Sequence, residues 1–378
     1  HQNHTQQSTG CELLIAVLSG TFVQRGEPAL IDKWTRTQAA LKAGADLVIE
    51  LPFAMTVQSA SQFAKAAVTL LSLAGCTDLV FGSETNDLET LQIMADCPIN
   101  VDAIKENLKQ GYAYPKAVGM VQGSYAPNDI LGIAYLKALK DTSMKATCIQ
   151  RTNDYHGEAL DQEIASATAI RKALLNGQDV SRFTPMAQDL VGSSLIHFAL
   201  YYPYIRLKLL TTPKEELVDL FMMDEGMENH LVKMATAYDE FDDFIQHAIS
   251  KRYTKARIQR TLTHLMVHTS KLEMKQLTPL NTIRVLGFND QGRAHLKTLQ
   301  EKEVRVASRF NQIPLPYRRL EHRSTLVYAS VYPIEERNRL VQREIEGPVI
   351  KKYSKSVFFG GLFGGLVKIL FEDGGGDP

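Results

Sequence analysis

The sequence predicts a doubly wound α/β fold with a parallel sheet, followed by a mostly α-helical second domain. Short apolar runs alternate with helix-like segments over residues 1–175, and this alternation is typical of a sheet covered by helices on both faces. After Pro185 the pattern changes to long helical periods. The 378 residues suffice for two domains of roughly 100–200 residues each.

The elements of the first domain follow in order. Runs of this length and composition are typical of strands buried on both faces, and an Asp or Ser at the start with a glycine near the end is typical of a helix. The predicted strands are Glu12–Leu18, Ala45–Leu51, Asp78–Gly82 and Ala146–Ile149, and the predicted helices are Asp32–Gly44, Ser59–Leu73 and Asn128–Leu139.

The second half has helical periods at Gln188–Tyr202, Lys214–Met223, Met227–His247 and Tyr253–His268. Periodicity leaves open whether Thr282–Leu286 and Ser324–Ala329 are strands or helix starts. We expect a nucleotide-binding domain at 1–185, a helical domain at 186–353, and a glycine-rich, disordered or non-native tail at 354–378.

Charge is balanced overall but not along the chain. The formal net charge is zero, yet residues 251–323 carry 16 Lys and Arg against 5 Asp and Glu, a local charge of +11. Such a segment is either a solvated helix face or a surface for a polyanion. Four scattered cysteines and the absence of any apolar run near ~20 residues argue against a disulfide scaffold and a membrane span, and favour the reducing cytosol.

The segment 164–171 is the sharpest local signal. Ser166 and Thr168 stand where a helix would begin, and Arg171 follows within the first turn, so backbone N–H groups, hydroxyls and a guanidinium converge. This pattern suits a phosphate, although a plain capping serine gives the same pattern. Glycines after two predicted strands, in 19–28 and at Gly82, would let a backbone approach a ligand there. His264 and His268 are interpreted as core or interface histidines, and no metal ligands are predicted.

Several motifs together resemble the bacterial tRNA(Met) cytidine acetate ligase family, and the likeness covers about residues 1–350. The most specific is Ser19–Ala29, which reads Ser-Gly-Thr-Phe-Val-Gln-Arg-Gly-Glu-Pro-Ala. The others are His1-Gln-Asn-His4, Asp32-Lys33, Asp46–Pro52, Phe81–Glu84, Pro127-Asn128 with Ile130–Gly132, Tyr155-His156 and Ser166–Arg171. Gly157 departs from the acid that the family has after Tyr-His.

This family belongs to the HxGH nucleotidyltransferase-like superfamily, and the resemblance makes His1 the second histidine of that motif. We therefore expect a leading strand and the first three motif residues to be missing from this sequence. The resemblance implies ATP binding, with Mg²⁺ expected because ATP is the substrate, by the following residues: His1, Gln2, Asn3, His4, Gly82, Asn128, Arg151, Ser166, Thr168 and Arg171. His1, Lys33 and Arg25 would act in catalysis, the two cations by stabilising developing negative charge.

The implied reaction uses ATP and acetate to form acetyl-adenylate, and then acetylates N4 of the wobble cytidine of elongator tRNA(Met). Arg252, Lys255, Arg257 and Arg260 would bind tRNA phosphates, with Tyr253 as a stacking ring. Two alternatives stay open: an adenylyltransferase acting on a small phosphorylated molecule, and an RNA-binding protein without catalysis. The basic window argues against the first, and the missing motif residues favour the second. Oligomeric state is not predicted.

Overall fold

The computed structural model describes residues 10–98, 100–123, 125–150, 170, 173–174, 176–184, 186–190, 193–351 and 366–371. One mixed sheet organises this part of the chain. Its strands are β1 (Leu13–Ser19), β2 (Leu47–Leu51), β3 (Asp78–Ser83), β4 (Lys145–Gln150), β5 (Thr282–Phe288), β6 (Arg305–Ala307), β7 (Val349–Ile350) and β8 (Leu366–Phe371). The order is β4-β3-β8-β1-β2-β5-β6, and β7 pairs with β5.

The helices of the first half are α1 (Lys33–Lys42), α2 (Phe53–Thr56), α3 (Ala60–Leu73), α4 (Leu88–Asp96), α5 (Val101–Lys109), α6 (Tyr114–Gln122) and α7 (Pro127–Leu139). Those of the second half are α8 (Ala187–Leu190), α9 (Tyr202–Thr211), α10 (Lys214–Asp219), α11 (Met227–Ala237), α12 (Phe241–Ala248), α13 (Lys255–Val267), α14 (Lys271–Lys275), α15 (Asp290–Glu301), α16 (Leu315–Ala329) and α17 (Ile334–Ile345). Short 3₁₀ turns lie at Phe198–Tyr201 and Phe310–Gln312.

Helices cover both faces of the sheet, as the doubly wound prediction requires. On one face, Ile15 and Val17 of β1 pack in a cluster that includes Phe63 of α3 and Tyr135 of α7. On the other face, the alternate residues of β1 pack in a cluster with Trp34 and Leu41 of α1. Because successive side chains of a strand point to opposite faces, the uniformly apolar β1 serves both layers.

The sheet extends beyond the parallel strands of the first half. β5 runs antiparallel to β2, with Ile49 opposite Val285, and β6 and β7 lie parallel to β5. These strands come from the region predicted as the helical second domain, so the sheet crosses residue 185. The segment Thr282–Leu286 is therefore a strand, whereas Ser324–Ala329 is the end of α16. The division into domains stays a prediction.

The helices of the second half enclose their own core, which also receives the loops that follow β1 and β2. Phe22 and Phe53, from these two loops, meet edge to face with ring centroids 5.9 Å apart. Phe22 also contacts Tyr328 of α16 at 6.2 Å. Aromatic pairs in such arrangements add to the stabilisation from burial. The strand-end loops are thus anchored in the helical part of the molecule.

Four predicted segments differ from the structure. In the period Lys214–Met223 only Lys214–Asp219 is helical, because Leu220 has an extended backbone. The long period Met227–His247 is two helices, α11 and α12, because Tyr238 has an extended backbone between them. The period Gln188–Tyr202 contains only short helical pieces in its described residues. The predicted tail contributes β8, which pairs with β1 and β3 and satisfies backbone groups that would otherwise lack partners. No helix within the described ranges is long and apolar enough to cross a membrane.

Candidate functional site

The loop after β3 and the start of α7 meet at the carboxyl edge of the sheet, where α/β proteins of this type bind ligands. This places Gly82 and Asn128, two predicted ATP-binding residues, on interacting segments. The Asn128 side-chain amide donates to the Glu84 carboxylate at 2.5 Å, and the Asn128 backbone N–H donates to the same oxygen at 3.3 Å. The loop and the helix start are therefore held in one fixed arrangement.

Asp129, also in the first turn of α7, makes the reciprocal contact with the end of β3 and the loop that follows it. Its carboxylate is fully buried and accepts hydrogen bonds from the Ser83 hydroxyl at 2.5 Å and from the Glu84 N–H at 3.1 Å. The Asp129 N–H in turn donates to Glu84 at 3.1 Å. A carboxylate at a helix N-terminus is favoured by the exposed N–H groups and the helix dipole. Since Glu84 already occupies these groups in α7, the bound anion there is a side chain of the protein.

Most of the predicted ATP-binding residues lie outside the described residues. These are His1, Gln2, Asn3, His4, Arg151, Ser166, Thr168 and Arg171. The structure brings together Gly82 and Asn128, and β4 places Gln150, the residue before Arg151, opposite Ser83 of β3. The part of the predicted nucleotide site that is described thus lies at one edge of the sheet.

The loop after β1 begins beside a buried arginine. The guanidinium of Arg36 donates to the carbonyl oxygens of Ile31, Ser19 and Gly20. A Cβ on Gly20 would lie 2.6 Å from a carboxylate oxygen of Glu50, so a larger residue where the chain leaves β1 would force the buried Glu50 side chain to shift. These contacts fix the first residues of the Ser19–Ala29 motif.

Lys33 lies in a buried cluster of charged side chains beneath this loop. Its ammonium group contacts Glu50 of β2 at 2.8 Å and Glu344 of α17 at 2.9 Å, and its side chain is 2% exposed. Arg284 of β5 contacts the same two carboxylates at 2.5 and 2.9 Å. The charge of Lys33 is therefore neutralised inside the protein, and the predicted action of Lys33 on a phosphate stays a prediction.

A third carboxyl group, Glu321 of α16, borders this cluster. One of its oxygens accepts the Phe53 backbone N–H at 2.5 Å. Burial, reinforced by the charge of Glu50, raises the pKa of Glu321 to about 8. Burial alone would also raise the pKa of Glu344, but Arg284 and Lys33 lower it to about 2. At neutral pH the cluster therefore holds Glu344 as a carboxylate and Glu321 largely as a neutral acid.

The far end of the loop after β1 docks on helix α13. A Cβ on Gly26 would lie 2.5 Å from the backbone nitrogen of Arg260, so the loop touches the helix backbone directly. The Thr263 hydroxyl donates to the Gly26 carbonyl, and the Gln259 amide donates to Glu27 at 3.1 Å. Arg25 is consequently held beside α13.

The four predicted tRNA-binding residues lie along α13 and the turn before it. Arg252 is exposed in the turn, whereas Lys255, Arg257 and Arg260 lie on the helix and are partly buried. Arg257 contacts Glu225 at 3.1 Å. Burial, with the nearby Arg25 and Arg257 charges, lowers the pKa of Arg260 to about 10, so it stays charged at neutral pH.

The predicted stacking role of Tyr253 is wrong. The ring is 6% exposed, and its hydroxyl donates to the Glu225 carbonyl at 2.6 Å. The ring also contacts His230 and Arg257, with centroid distances of 5.5 and 5.6 Å, so a base could not stack on it without displacing these side chains. An aromatic residue in a basic stretch predicts stacking only if its ring is exposed, which the sequence alone does not reveal.

His264 is a core histidine, as predicted. It is fully buried between the rings of Phe53 and Phe221, and its Nε2 lies 2.9 Å from the Val57 carbonyl oxygen. Burial lowers its pKa to about 4, so the ring is neutral at pH 7. No group of three or more potential metal ligands occurs within the described ranges.

Sequence reasoning missed two features of this edge. Asp129 carries a signal, because an acid at the start of a helix after Pro127 is well placed to bond backbone N–H groups. Glu50 also carries one, because a charge inside the apolar run Leu47–Leu51 requires a buried partner. Neither signal identifies the partners: Asp129 binds the Glu84 N–H, 45 residues away, and Glu50 binds Lys33, 17 residues away, and Arg284 of β5.

Comparison with known proteins gives a consistent result. A family model described as HIGH Nucleotidyl Transferase matches residues 1–344. The tRNA(Met) cytidine acetate ligase of Oceanobacillus iheyensis is 33% identical over 385 residues, which covers 93% of this chain and 96% of the relative. The Bacillus subtilis enzyme of the same name is 34% identical over 371 residues and covers 89% of each chain.

Solved structures agree with these sequence relatives. The chain is similar to the crystal structure of Thermotoga maritima TmcAL bound with alpha-thio ATP, with a TM-score of 0.83, 25% identity, and coverage of 93% of this chain and 95% of that chain. The apo form of the same protein gives a TM-score of 0.84 at 24% identity. The chain therefore belongs to the tRNA(Met) cytidine acetate ligase family of the HIGH nucleotidyltransferases.

Proposed function

We propose that the protein is a ligase that uses ATP and acetate to acetylate N4 of the wobble cytidine of elongator tRNA(Met). In the first step an acetate oxygen attacks the α-phosphorus of ATP, and the bond to the β-phosphate oxygen breaks to release pyrophosphate. In the second step the cytidine N4 amine attacks the acetyl carbonyl, AMP leaves, and the amine loses a proton. No covalent enzyme intermediate is needed, so positioning and charge stabilisation carry the catalysis.

The observation that carries this proposal is the length of the likeness to the curated ligases. It extends over 93% of the chain, so it includes the sheet with its strand-end loops and the helical region with its basic window. A small-molecule adenylyltransferase needs only a nucleotide site and has no use for a strongly basic segment such as residues 251–323. The likeness of both parts therefore favours a ligase that acts on RNA.

We place the nucleotide at the carboxyl edge of the sheet, near the loop after β3 and the start of α7. The mutual bonds of Glu84 and Asp129 make this backbone rigid before a ligand arrives, which reduces the entropy lost on binding. Gly82 and Asn128 would contact ATP here, together with Arg151, the residue that follows β4 in the sequence. His1, Gln2, Asn3 and His4 would border the triphosphate, and Ser166, Thr168 and Arg171 would bind the departing pyrophosphate.

In this proposal Lys33 stabilises the fold beneath the loop after β1 and does not act on the phosphates of ATP. Its two carboxylate partners leave its charge neutralised, and the cluster connects α1, β2, β5 and α17 beneath the loop after β1. We therefore assign stabilisation of the phosphate charge to His1, Arg151 and Arg171. Mg²⁺ would enter with ATP, bound to the phosphates of the nucleotide.

The tRNA would bind through the exposed side of the turn before α13 and through α13 itself, by Arg252, Lys255, Arg257 and Arg260. Contacts of this kind go to phosphates and carry little sequence information. The neighbouring turn is fixed, because Lys251 lies over the ring of Tyr112 at 3.6 Å and its carbonyl accepts the Ala113 N–H at 2.9 Å. A cytoplasmic location, where tRNA, ATP and acetate occur together, fits this activity.

Acetate-dependent exchange of labelled pyrophosphate into ATP tests the first step. The exchange should require acetate and proceed without tRNA, because acetyl-adenylate forms before tRNA reacts. The assay should be run on this chain and on a form extended at its amino end by the strand and motif residues that the family possesses. If the exchange does not depend on acetate but does depend on an added small phosphate ester, the protein is instead an adenylyltransferase. RNA binding with no ATP binding by either form would identify a non-catalytic RNA-binding protein.

A further inference from the structure

Two segments that are far apart in sequence meet beside the turn before α13. The Ala113 N–H donates to the Lys251 carbonyl at 2.9 Å, and the Lys251 ammonium group lies over the ring of Tyr112, 3.6 Å from its centroid. Tyr114 follows Ala113 as the first residue of α6, and Arg252 follows Lys251. Because consecutive Cα atoms are about 3.8 Å apart, the backbones of Tyr114 and Arg252 lie close together.

The side chain of Tyr114 is open to solvent although the backbone beside it is packed against the turn. Tyr114 is 56% exposed. Tyr112 is half-buried beneath the ammonium group of Lys251, and Tyr253 is buried. Of these three tyrosines, Tyr114 is therefore the one whose ring a base can reach.

The surface around the Tyr114 ring is basic. Lys116 is exposed two residues further along α6, and Lys251 and Arg252 are exposed in the facing turn. The segments 112–116 and 249–252 contain these three cations and no acidic residue. Proteins bind single-stranded nucleic acid with such surfaces, because cations contact the phosphates while a base stacks on the ring. Protein–protein interfaces are instead depleted in lysine, so the charge favours RNA as the partner.

We propose that Tyr114 stacks on an unpaired base of the tRNA. Lys116, Lys251 and Arg252 would contact the phosphates next to that base. The inference rests on the proposed function, in which the reacting cytidine is the wobble base of the anticodon loop, where bases are unpaired. Proteins recognise such loops by stacking their bases on aromatic side chains. Tyr114 would thus supply the stacking ring that Tyr253 cannot provide.

The position of Tyr114 links the tRNA surface to the segment that carries part of the proposed nucleotide site. Helix α6 has nine residues and is about 13 Å long, and four residues separate its end from α7. The first turn of α7 carries Asn128, which we propose contacts ATP. Tyr114 therefore belongs to the half of the chain that would bind ATP, and Arg252 to the half that would bind tRNA. An RNA loop bound across this contact would be held by both halves at once.

The test is filter binding of two labelled RNAs at several salt concentrations: elongator tRNA(Met), and a hairpin with the sequence of its anticodon arm. Tyr114→Ala should weaken binding of both RNAs about tenfold, because the stacking of one base is lost. It should leave the slope of log affinity against log salt unchanged, because no charge is removed. Lys116→Ala should instead reduce that slope by about 0.7. Tyr204→Ala is the matched control, because Tyr204 is 55% exposed near the start of α9, and it should leave RNA affinity unchanged.

Tyr114→Phe keeps the ring and should bind both RNAs as the wild type does. If Tyr114→Ala binds them as tightly as the wild type, or if Tyr114→Phe loses as much affinity as Tyr114→Ala, the inference is overturned and the proposed function stands. ATP affinity and the urea unfolding midpoint are measured in parallel. A fall of either in Tyr114→Ala that matches the loss of RNA affinity would assign the effect to the structure around α6 and also overturn the inference. A wild type that binds neither RNA would refute both proposals.

Discussion

Glu84 and Asp129 bind each other's backbone: the Asp129 N–H donates to the Glu84 carboxylate at 3.1 Å, and the Glu84 N–H donates to the Asp129 carboxylate at 3.1 Å. This reciprocal contact fixes the loop after β3 against the first turn of α7. Two acids at the carboxyl edge of the sheet thereby act as structural anions, and they fix the segments that carry Gly82 and Asn128, the two residues that we propose contact ATP.

Asp129→Ala should destabilise the protein and weaken ATP binding. The substitution leaves the Ser83 hydroxyl and the Glu84 N–H without their acceptor in a buried place, which costs about 2 kcal/mol of unfolding free energy. Urea unfolding and ATP binding by calorimetry measure the two effects. Asp87→Ala is the control, because Asp87 caps the neighbouring helix α4 from an exposed position. If Asp129→Ala lowers stability but leaves ATP affinity unchanged, the loop after β3 is not part of the nucleotide site.

Lys33→Met should be strongly destabilising. Removing the ammonium group leaves Glu50 and Glu344 with only Arg284 to balance them, and breaking a buried ion pair from one side costs about 3–5 kcal/mol. Urea unfolding measures the loss. A double variant, Lys33→Met with Glu50→Gln, removes one charge of each sign and should recover part of it. If the free energy of unfolding falls by less than about 1 kcal/mol in the single variant, Lys33 does not form these buried ion pairs in the folded protein.

Glu321 should make stability depend on pH. Its pKa is about 8 in the folded protein, above the ordinary value of 4.5, so the folded state binds a proton that the unfolded state has released. Its contribution is therefore present below pH 4.5 and is lost as the pH rises toward 8, by at most about 1.4 kcal/mol per pH unit.

Glu321→Gln keeps the shape but cannot ionise, so it should flatten the decline in urea stability between pH 5 and 8. Glu344 gives stability the opposite dependence on pH, in a lower pH range. Because its pKa is lowered to about 2 in the folded protein, its contribution to stability is lost as the pH falls below 4.5. Identical pH profiles for the wild type and Glu321→Gln would show that Glu321 is ionised in the folded protein at neutral pH.

Replacing Arg257 and Arg260 together with Ala should weaken tRNA binding and spare ATP binding. If each arginine contacts one phosphate, the slope of log affinity against log salt should fall by about 1.4–1.8. Filter binding with tRNA and a parallel ATP titration test this. Tyr253→Phe is an informative companion, because the buried ring predicts no loss of tRNA affinity. A tRNA affinity that is unchanged in the double variant would remove α13 from the interface.

The sequence predicted what local patterns encode. β1, β2 and β3 follow from short apolar runs, α1 follows from its Asp32 cap, and α3 follows from its apolar helical segment, because these signals lie within or next to each element. It left β5 undecided, because the strand becomes clear only when it pairs with β2, more than 200 residues earlier. The stacking role of Tyr253 was predicted wrongly, because the exposure of its side chain depends on how α13 packs against the rest of the protein.

The candidate site shows the same limit. The Ser19–Ala29 motif indicated a ligand loop, but its docking on α13 depends on contacts such as that of Thr263 with Gly26, 237 residues apart. Lys33 and Arg25 look alike as loop cations in the sequence. Their different surroundings, two buried carboxylates for Lys33 and the backbone of α13 beside Gly26 for Arg25, separate them only in the folded protein.

Transfer of labelled acetate to tRNA tests the central claim most directly. The protein, in this form and in the amino-terminally extended form, would be incubated with labelled acetate, ATP and total bacterial tRNA, and the tRNA would be digested to nucleosides. We predict label in N4-acetylcytidine, dependent on ATP and absent without acetate. If neither form labels N4-acetylcytidine under conditions in which the Bacillus subtilis relative does, the ligase assignment is contradicted.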